Sequence, residues 1–121
     1  MAKLTFVPVE RKTLEINGEM YEVLASEVEI AEMISEFDSA MKRMGKKWLD
    51  KKLDAKPGEI KEISGFLKMP AVAIAKMLGE GALSKIMGTA SVPFAKAVEI
   101  FESVSTAIIE IYGADYGKFY E

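Results

Sequence analysis

The sequence predicts a mostly α fold with a small N-terminal β-hairpin (α+β), in a single domain of about four to five helices. Three observations carry this expectation. Ile30, Ile34, Phe37, Met41, Met44 and Trp48 recur at alternating spacings of four and three, which places all six on one stripe of a helix. Asn17-Gly18, the preferred two-residue hairpin turn, sits between two short runs with alternating apolar residues. Two later segments, Ala71–Leu78 and Phe94–Tyr112, are apolar enough to be core helices. The chain has 121 residues, half of them hydrophobic, which suits one domain with a real core. No repeat or linker divides it. Residues 1–25 form the hairpin region, 26–113 the helical body and 114–121 a short aromatic tail.

Each element has a local reason. Leu4–Val9 alternates loosely and suits a strand, confined to an edge or strand end by Pro8. Within Lys12–Leu24, folding about Asn17-Gly18 pairs Ile16 with Glu19, Leu14 with Tyr21 and Lys12 with Val23. This puts Leu14, Ile16, Tyr21 and Val23 on one face, opposite Thr13, Glu15, Met20 and Glu22. A lone hairpin is marginal in water, so it must pack on helices or pair with another chain, and its outer edge is free to accept a neighbour's strand. Ser26 followed by Glu29 is a capping box that starts a helix running to about Leu53. That helix is acidic at its start and basic at its end, the order its dipole favours. Gly45 predicts a break or bend near Met44–Lys46, and Lys56-Pro57-Gly58 predicts a turn. Glu59 to about Lys68 reads as a short helix with Ile60, Ile63 and Leu67 on one face. Pro70 opens the next helix, whose residues Ala71–Leu78 are the expected centre of the core. Gly79-Glu80-Gly81 breaks it, Ala82–Met87 adds a short turn or two, and Gly88 is the expected C′ residue. Ser91 is the expected N-cap of the last helix, with Pro93 in its first turn. Phe94, Ala97, Val98, Phe101, Val104, Ile108 and Tyr112 line its apolar face, and Gly113 stops it.

The composition removes whole classes of chemistry. With no Cys and no His, the chain forms no disulfide, no thiolate or imidazole zinc site and no Ser-His or Cys-His pair. Gly79-Glu80-Gly81-Ala82-Leu83-Ser84 matches neither the dinucleotide nor the P-loop pattern, and Glu80 would repel a phosphate. Carboxylates lie on faces expected to be solvated, and no calcium-loop spacing occurs. The expectation is a protein that is not an enzyme and needs no metal or cofactor. A net charge of −3 argues against a general nucleic-acid binder. No apolar run is long enough to span a membrane and no signal peptide is evident, so a cytoplasmic location and no membrane contact are expected.

What remains is surface. Ile34, Phe37, Met41, Met44 and Trp48, with Lys42, Lys46 and Lys47 beside them, form the candidate partner-binding face. The stripe suits packing against the chain's own last helix, a short coiled-coil seam or a groove for a partner. The eight Met residues fit an ordinary core as well as an adaptable surface. The seven Lys and Arg residues between Lys42 and Lys56 fit a solvated helix end, an acidic partner or a nucleic acid.

Two stretches together suggest a family. One is the hairpin Leu14-Glu15-Ile16-Asn17-Gly18-Glu19-Met20-Tyr21-Glu22-Val23. The other is Met77-Leu78-Gly79-Glu80-Gly81-Ala82-Leu83-Ser84-Lys85-Ile86-Met87-Gly88, followed by a helix with Ala97-Val98-Glu99-Ile100-Phe101. Over about residues 12–112 the chain resembles the small tail proteins of siphophages and prophages of Gram-positive bacteria, in particular the tail assembly chaperones. The resemblance implies a non-catalytic protein of the bacterial host cytoplasm. It would coat the long helical tape measure protein, bring tail tube protein subunits to it and leave as the tube polymerises. It also implies a longer product made by ribosomal frameshift, of which this would be the short form, with the aromatic tail at the junction. Self-association is compatible with it. The other readings are a structural tail or head–tail component of the virion, and a helical adaptor or nucleic-acid-binding regulatory domain.

Overall fold

A computed structural model describes residues 1–51 and 56–119, with side chains for 1–46 and 56–117. Two strands, β1 (Thr13–Ile16) and β2 (Glu19–Glu22), precede four helices: α1 (Glu27–Lys51), α2 (Pro57–Leu78), α3 (Ala82–Met87) and α4 (Phe94–Gly113). A 3-10 helix, Ala114–Phe119, follows α4 directly. The fold is therefore mostly helical with a small N-terminal hairpin, as the periodicities require.

The hairpin forms in the expected register. Leu14 lies opposite Tyr21 and Ile16 opposite Glu19, with Asn17 (φ 52°) and Gly18 (φ 79°) in the left-handed turn. The Val23 amide donates to the Lys12 carbonyl at 2.8 Å, extending the ladder by one pair. Leu14, Ile16, Tyr21 and Val23 face the helices and the opposite face is exposed. The Asn17 side chain donates to the Ile86 carbonyl at 3.2 Å, tying the turn to α3. Lys85 pairs with Glu19 and lies over the Tyr21 ring, 5.8 Å from its centroid.

The start of α1 is the expected capping box. Glu29 accepts from the Ser26 amide at 3.0 Å, and the Glu29 amide donates to the Ser26 hydroxyl at 3.3 Å. Gly45 does not break the helix, which runs on to Lys51. The cost of a helical glycine, about 1 kcal/mol, is offset at a position where Met44 beside it is buried. The expected helix limit near Leu53 lies outside the described residues.

The largest departure is at Pro70. Two helices were expected around it, but α2 runs unbroken from Pro57 to Leu78 with Pro70 buried inside. Proline has no N–H for the carbonyl four residues back. The buried residues Ile63, Phe66, Pro70, Ala73, Ile74 and Met77 nevertheless stay in one helical phase across it. A break would throw the two halves of that face out of register, so burial of the whole stripe outweighs one lost hydrogen bond. Ile60 falls off this face and is exposed.

Smaller corrections have equally local causes. Leu4–Val9 forms no strand, because no described strand lies beside it to supply hydrogen bonds. Ser91 caps nothing; α4 begins one residue after Pro93, whose carbonyl accepts from the Ala97 amide at 3.0 Å. α4 does end at Gly113, as expected, but with a right-handed backbone there, so the chain tightens directly into the 3-10 helix. Tyr116 donates to Glu27 at 2.6 Å and Asp115 pairs with Lys12 at 3.1 Å, which ties this segment to the start of α1 and to the hairpin. The Gly79–Gly81 corner is as expected, with both glycines at positive φ. The core gathers where α1, α2 and α4 meet, with Ile30, Ile74, Met77 and Ile108 fully buried.

Candidate functional site

The stripe on α1 is divided between core and surface. Ile30, Phe37 and Met44 are buried, while Ile34 and Met41 are 38% and 42% exposed. Buried Ala40 and half-buried Met33, on the other flank, complete the core-facing side. At 100° per residue the buried sector is turned roughly 40° away from the axis of the six-residue stripe. The cause is unequal packing: α1 meets α2 more extensively than α4. Ile34 and Met41 are left on the α4 side, partly covered.

There they border a groove between α1 and α4 of about 350 Å³. Phe37, Phe101 and Ser105 form its floor, with Ile34, Met41 and Val98 along it and Asp38, Glu102 and Thr106 on its rim. The Phe37 ring is fixed by three others, stacked on Phe66 at 5.9 Å, edge-on to Phe101 at 5.6 Å and tilted against Phe94 at 6.3 Å. Ser105 is buried and satisfied, donating to the Phe101 carbonyl at 2.6 Å. The floor is rigid and the walls carry the flexible Met41. A second groove of about 300 Å³ lies on the opposite flank of α1, against α2, lined by Met33, Phe37, Met69, Val72 and Lys76 among others.

Of the residues singled out in the sequence, the structure brings Ile34, Phe37 and Met41 to one groove. Phe37 serves there as floor, not as an exposed contact. Met44 is buried in the core and lies away from the α1–α4 groove, lining instead a groove of about 480 Å³ on the α2 side of α1 with Ala40, Arg43, Phe66 and Met69 among others. Lys42 is exposed and does not line the groove; it pairs with Asp38, which does, at 3.0 Å, so its charge is partly answered within the helix. Lys46 is exposed on the same helix. The side chains of Lys47 and Trp48 lie outside the described residues. Val98, reached from a different helix, was read only as a core residue; the signal available was its place one turn from Phe94 and Phe101.

The perturbed ionisations serve the fold. Glu29 is held below the usual carboxylate range by the Ser26 amide and then the Ser26 hydroxyl. Lys85 is raised by its hydrogen bond to Glu19 and that carboxylate's charge. Burial, then the Glu27 charge, raises Tyr112, whose hydroxyl donates to the Ala25 carbonyl at 2.8 Å. Among the described residues no helix is long and apolar enough to cross a membrane. No family model, curated protein or solved structure matches the chain.

Proposed function

We propose that this protein is a non-catalytic tail assembly chaperone of a siphophage or prophage, acting in the bacterial cytoplasm. In this reading it holds an amphipathic helix of the tape measure protein, and presents tail tube protein subunits to it, until the tube closes around it. The observation that carries the proposal is the α1–α4 groove, with exposed Ile34 and Met41 above a rigid aromatic floor. A helix laid in such a groove buries its apolar face against it. Methionine adapts to varied side chains, which suits a holder of a long and irregular partner. Shallow contacts repeated over many copies give avidity while each copy remains exchangeable. The sequence resemblance supplies the partner's identity.

The test is co-expression with the longest helical protein encoded nearby, followed by fractionation. The partner should precipitate alone and become soluble with this chain, in a complex holding several copies. Ile34→Glu and Met41→Glu should fold and lose that rescue. Partner solubility unchanged by the wild-type chain, or presence of the chain in finished particles, would overturn the chaperone reading; the second result would favour a structural tail component.

A further inference from the structure

The first nine residues form an apolar arm with nothing to cover it. Leu4, Phe6, Val7 and Val9 are each at least 80% exposed. Among the described residues, no hydrogen bond or ion pair reaches residues 1–9. An apolar arm exposed to water loses only chain entropy by ordering against a surface, and it gains the burial of the apolar side chains on the face that meets it.

The same molecule carries an open template for it. Ile16–Glu19, Leu14–Tyr21 and Lys12–Val23 are the hydrogen-bonded pairs of the hairpin, so the backbone groups of Thr13 and Glu15 point outward from β1. Among the described residues these groups have no partner. A two-stranded sheet with a free edge is the least stable form a sheet takes, and a third strand is what it lacks.

We infer that residues Leu4–Val7 of one copy add as a third strand to the β1 edge of a second copy. Four observations point there. The arm's composition, Leu-Thr-Phe-Val, favours a strand. Extended, these four residues span about 13 Å, the length of the four-residue β1. The only charge in residues 1–9 is Lys3, whereas residues 13–22 carry Glu15, Glu19 and Glu22 and no base. Glu19 and Glu22 pair with Lys85 and Arg11, and Glu15, on the β1 edge, has no ion-pair partner among the described residues and is free to meet Lys3. The fourth observation selects a second copy over the arm's own hairpin. The ladder extends back to Lys12, and Arg11 is tied to Glu22 at 3.4 Å. A return onto the same β1 edge would have to be made within Pro8–Lys12, which holds no Gly, Asn or Asp and whose Lys12 is already held in the ladder, and the chain's own arm is not paired with that edge. The contact joins unlike surfaces, so it closes into a dimer by reciprocal exchange or continues copy to copy. It stands independently of the chaperone reading, because it requires only this chain.

The experiment uses the purified full chain. Sedimentation velocity over a concentration series should show self-association, and deletion of residues 1–9 or the single change Val7→Pro should return it to the monomer mass. Both changes fall in an exposed segment that no hydrogen bond or ion pair reaches among the described residues, and an unchanged circular dichroism spectrum verifies that the fold survives. The chain has no cysteine, so position is read by mixing two single-cysteine variants under mild oxidation. With Leu4–Val7 antiparallel to β1, Thr5 lies opposite Glu15 and Lys3 diagonal to it on the same face, so Thr5→Cys should cross-link to Glu15→Cys at least several-fold more than to Met41→Cys. A wild-type chain that stays monomeric, association that survives loss of the arm, or preferential cross-linking to Met41→Cys in the α1–α4 groove would each overturn the inference.

Discussion

Replacing Phe37 with alanine tests whether the line between core and groove is drawn correctly. Its ring is 8% exposed and meets three other phenylalanine rings. Truncating a buried Phe to Ala costs about 3–5 kcal/mol. Its position between two grooves pulls toward the lower end, because the vacated space opens to solvent instead of forming a sealed void. The lost ring contacts push upward, at about 0.5–1.5 kcal/mol for each aromatic pair. The balance is a loss of about 4 kcal/mol, a large share of the roughly 5–15 kcal/mol that stabilises a domain. With a urea m-value of about 2 kcal/mol/M, the unfolding midpoint should fall by about 2 M. Met41, four residues along the same stripe but 42% exposed, supplies the contrast. Met41→Glu leaves its carboxylate in water and should change stability by less than about 1 kcal/mol. Urea unfolding followed by far-UV circular dichroism reads both. If Met41→Glu costs as much as Phe37→Ala, Met41 belongs to the core and the groove has been misplaced.

Three further outcomes follow from individual contacts. Asn17→Ala should cost about 1–2 kcal/mol, since alanine resists the positive φ and the hydrogen bond to Ile86 is lost; faster exchange of the Val23 amide would locate the damage in the hairpin. The Glu29 carboxyl is depressed by its capping bonds, so its contribution is complete above the ordinary value of 4.5 and lost as pH falls through its folded value. Ser26→Ala should move the Glu29 titration, followed by NMR, back toward that value and weaken this acid dependence. Tyr112 is raised by burial, so its contribution is complete below its ordinary value of 10.0 and lost as pH rises through the folded value. Tyr112→Phe should remove that alkaline loss, seen in thermal melts against pH, and cost about 1–2 kcal/mol at neutral pH by stranding the Ala25 carbonyl.

The hairpin and the start of α1 were legible because their signals are local. Asn17-Gly18 and the Ser26–Glu29 box specify geometry within four residues, and no tertiary contact competes with them. Pro70 was misread because its local signal opposes a longer one. The phase of Ile63, Phe66, Ala73 and Met77 was already visible, and continuity of that phase outranks a single missing donor. The division of the α1 stripe was not legible. Periodicity finds the apolar side of a helix, but which flank is covered depends on where α2 and α4 lie, and that is a property of the whole fold. The exposed arm was hidden for the opposite reason: its residues look like a strand, and only the structure shows that no described strand pairs with them.

Phe37 belongs both to the core and to the groove, and this ties binding to stability. A partner helix that covers Phe37 binds the folded state alone, because the floor of the groove exists only when Phe66, Phe94 and Phe101 are assembled around it. Occupancy must therefore stabilise the domain, by about 2.7 kcal/mol when the partner is at a hundred times its Kd. The arm follows a different rule. Among the described residues no hydrogen bond or ion pair reaches residues 1–9, so removing them should leave the isolated domain's stability unchanged while abolishing association. A change that separates stability from assembly acts through the arm and the β1 edge. One that moves the two together acts through the groove.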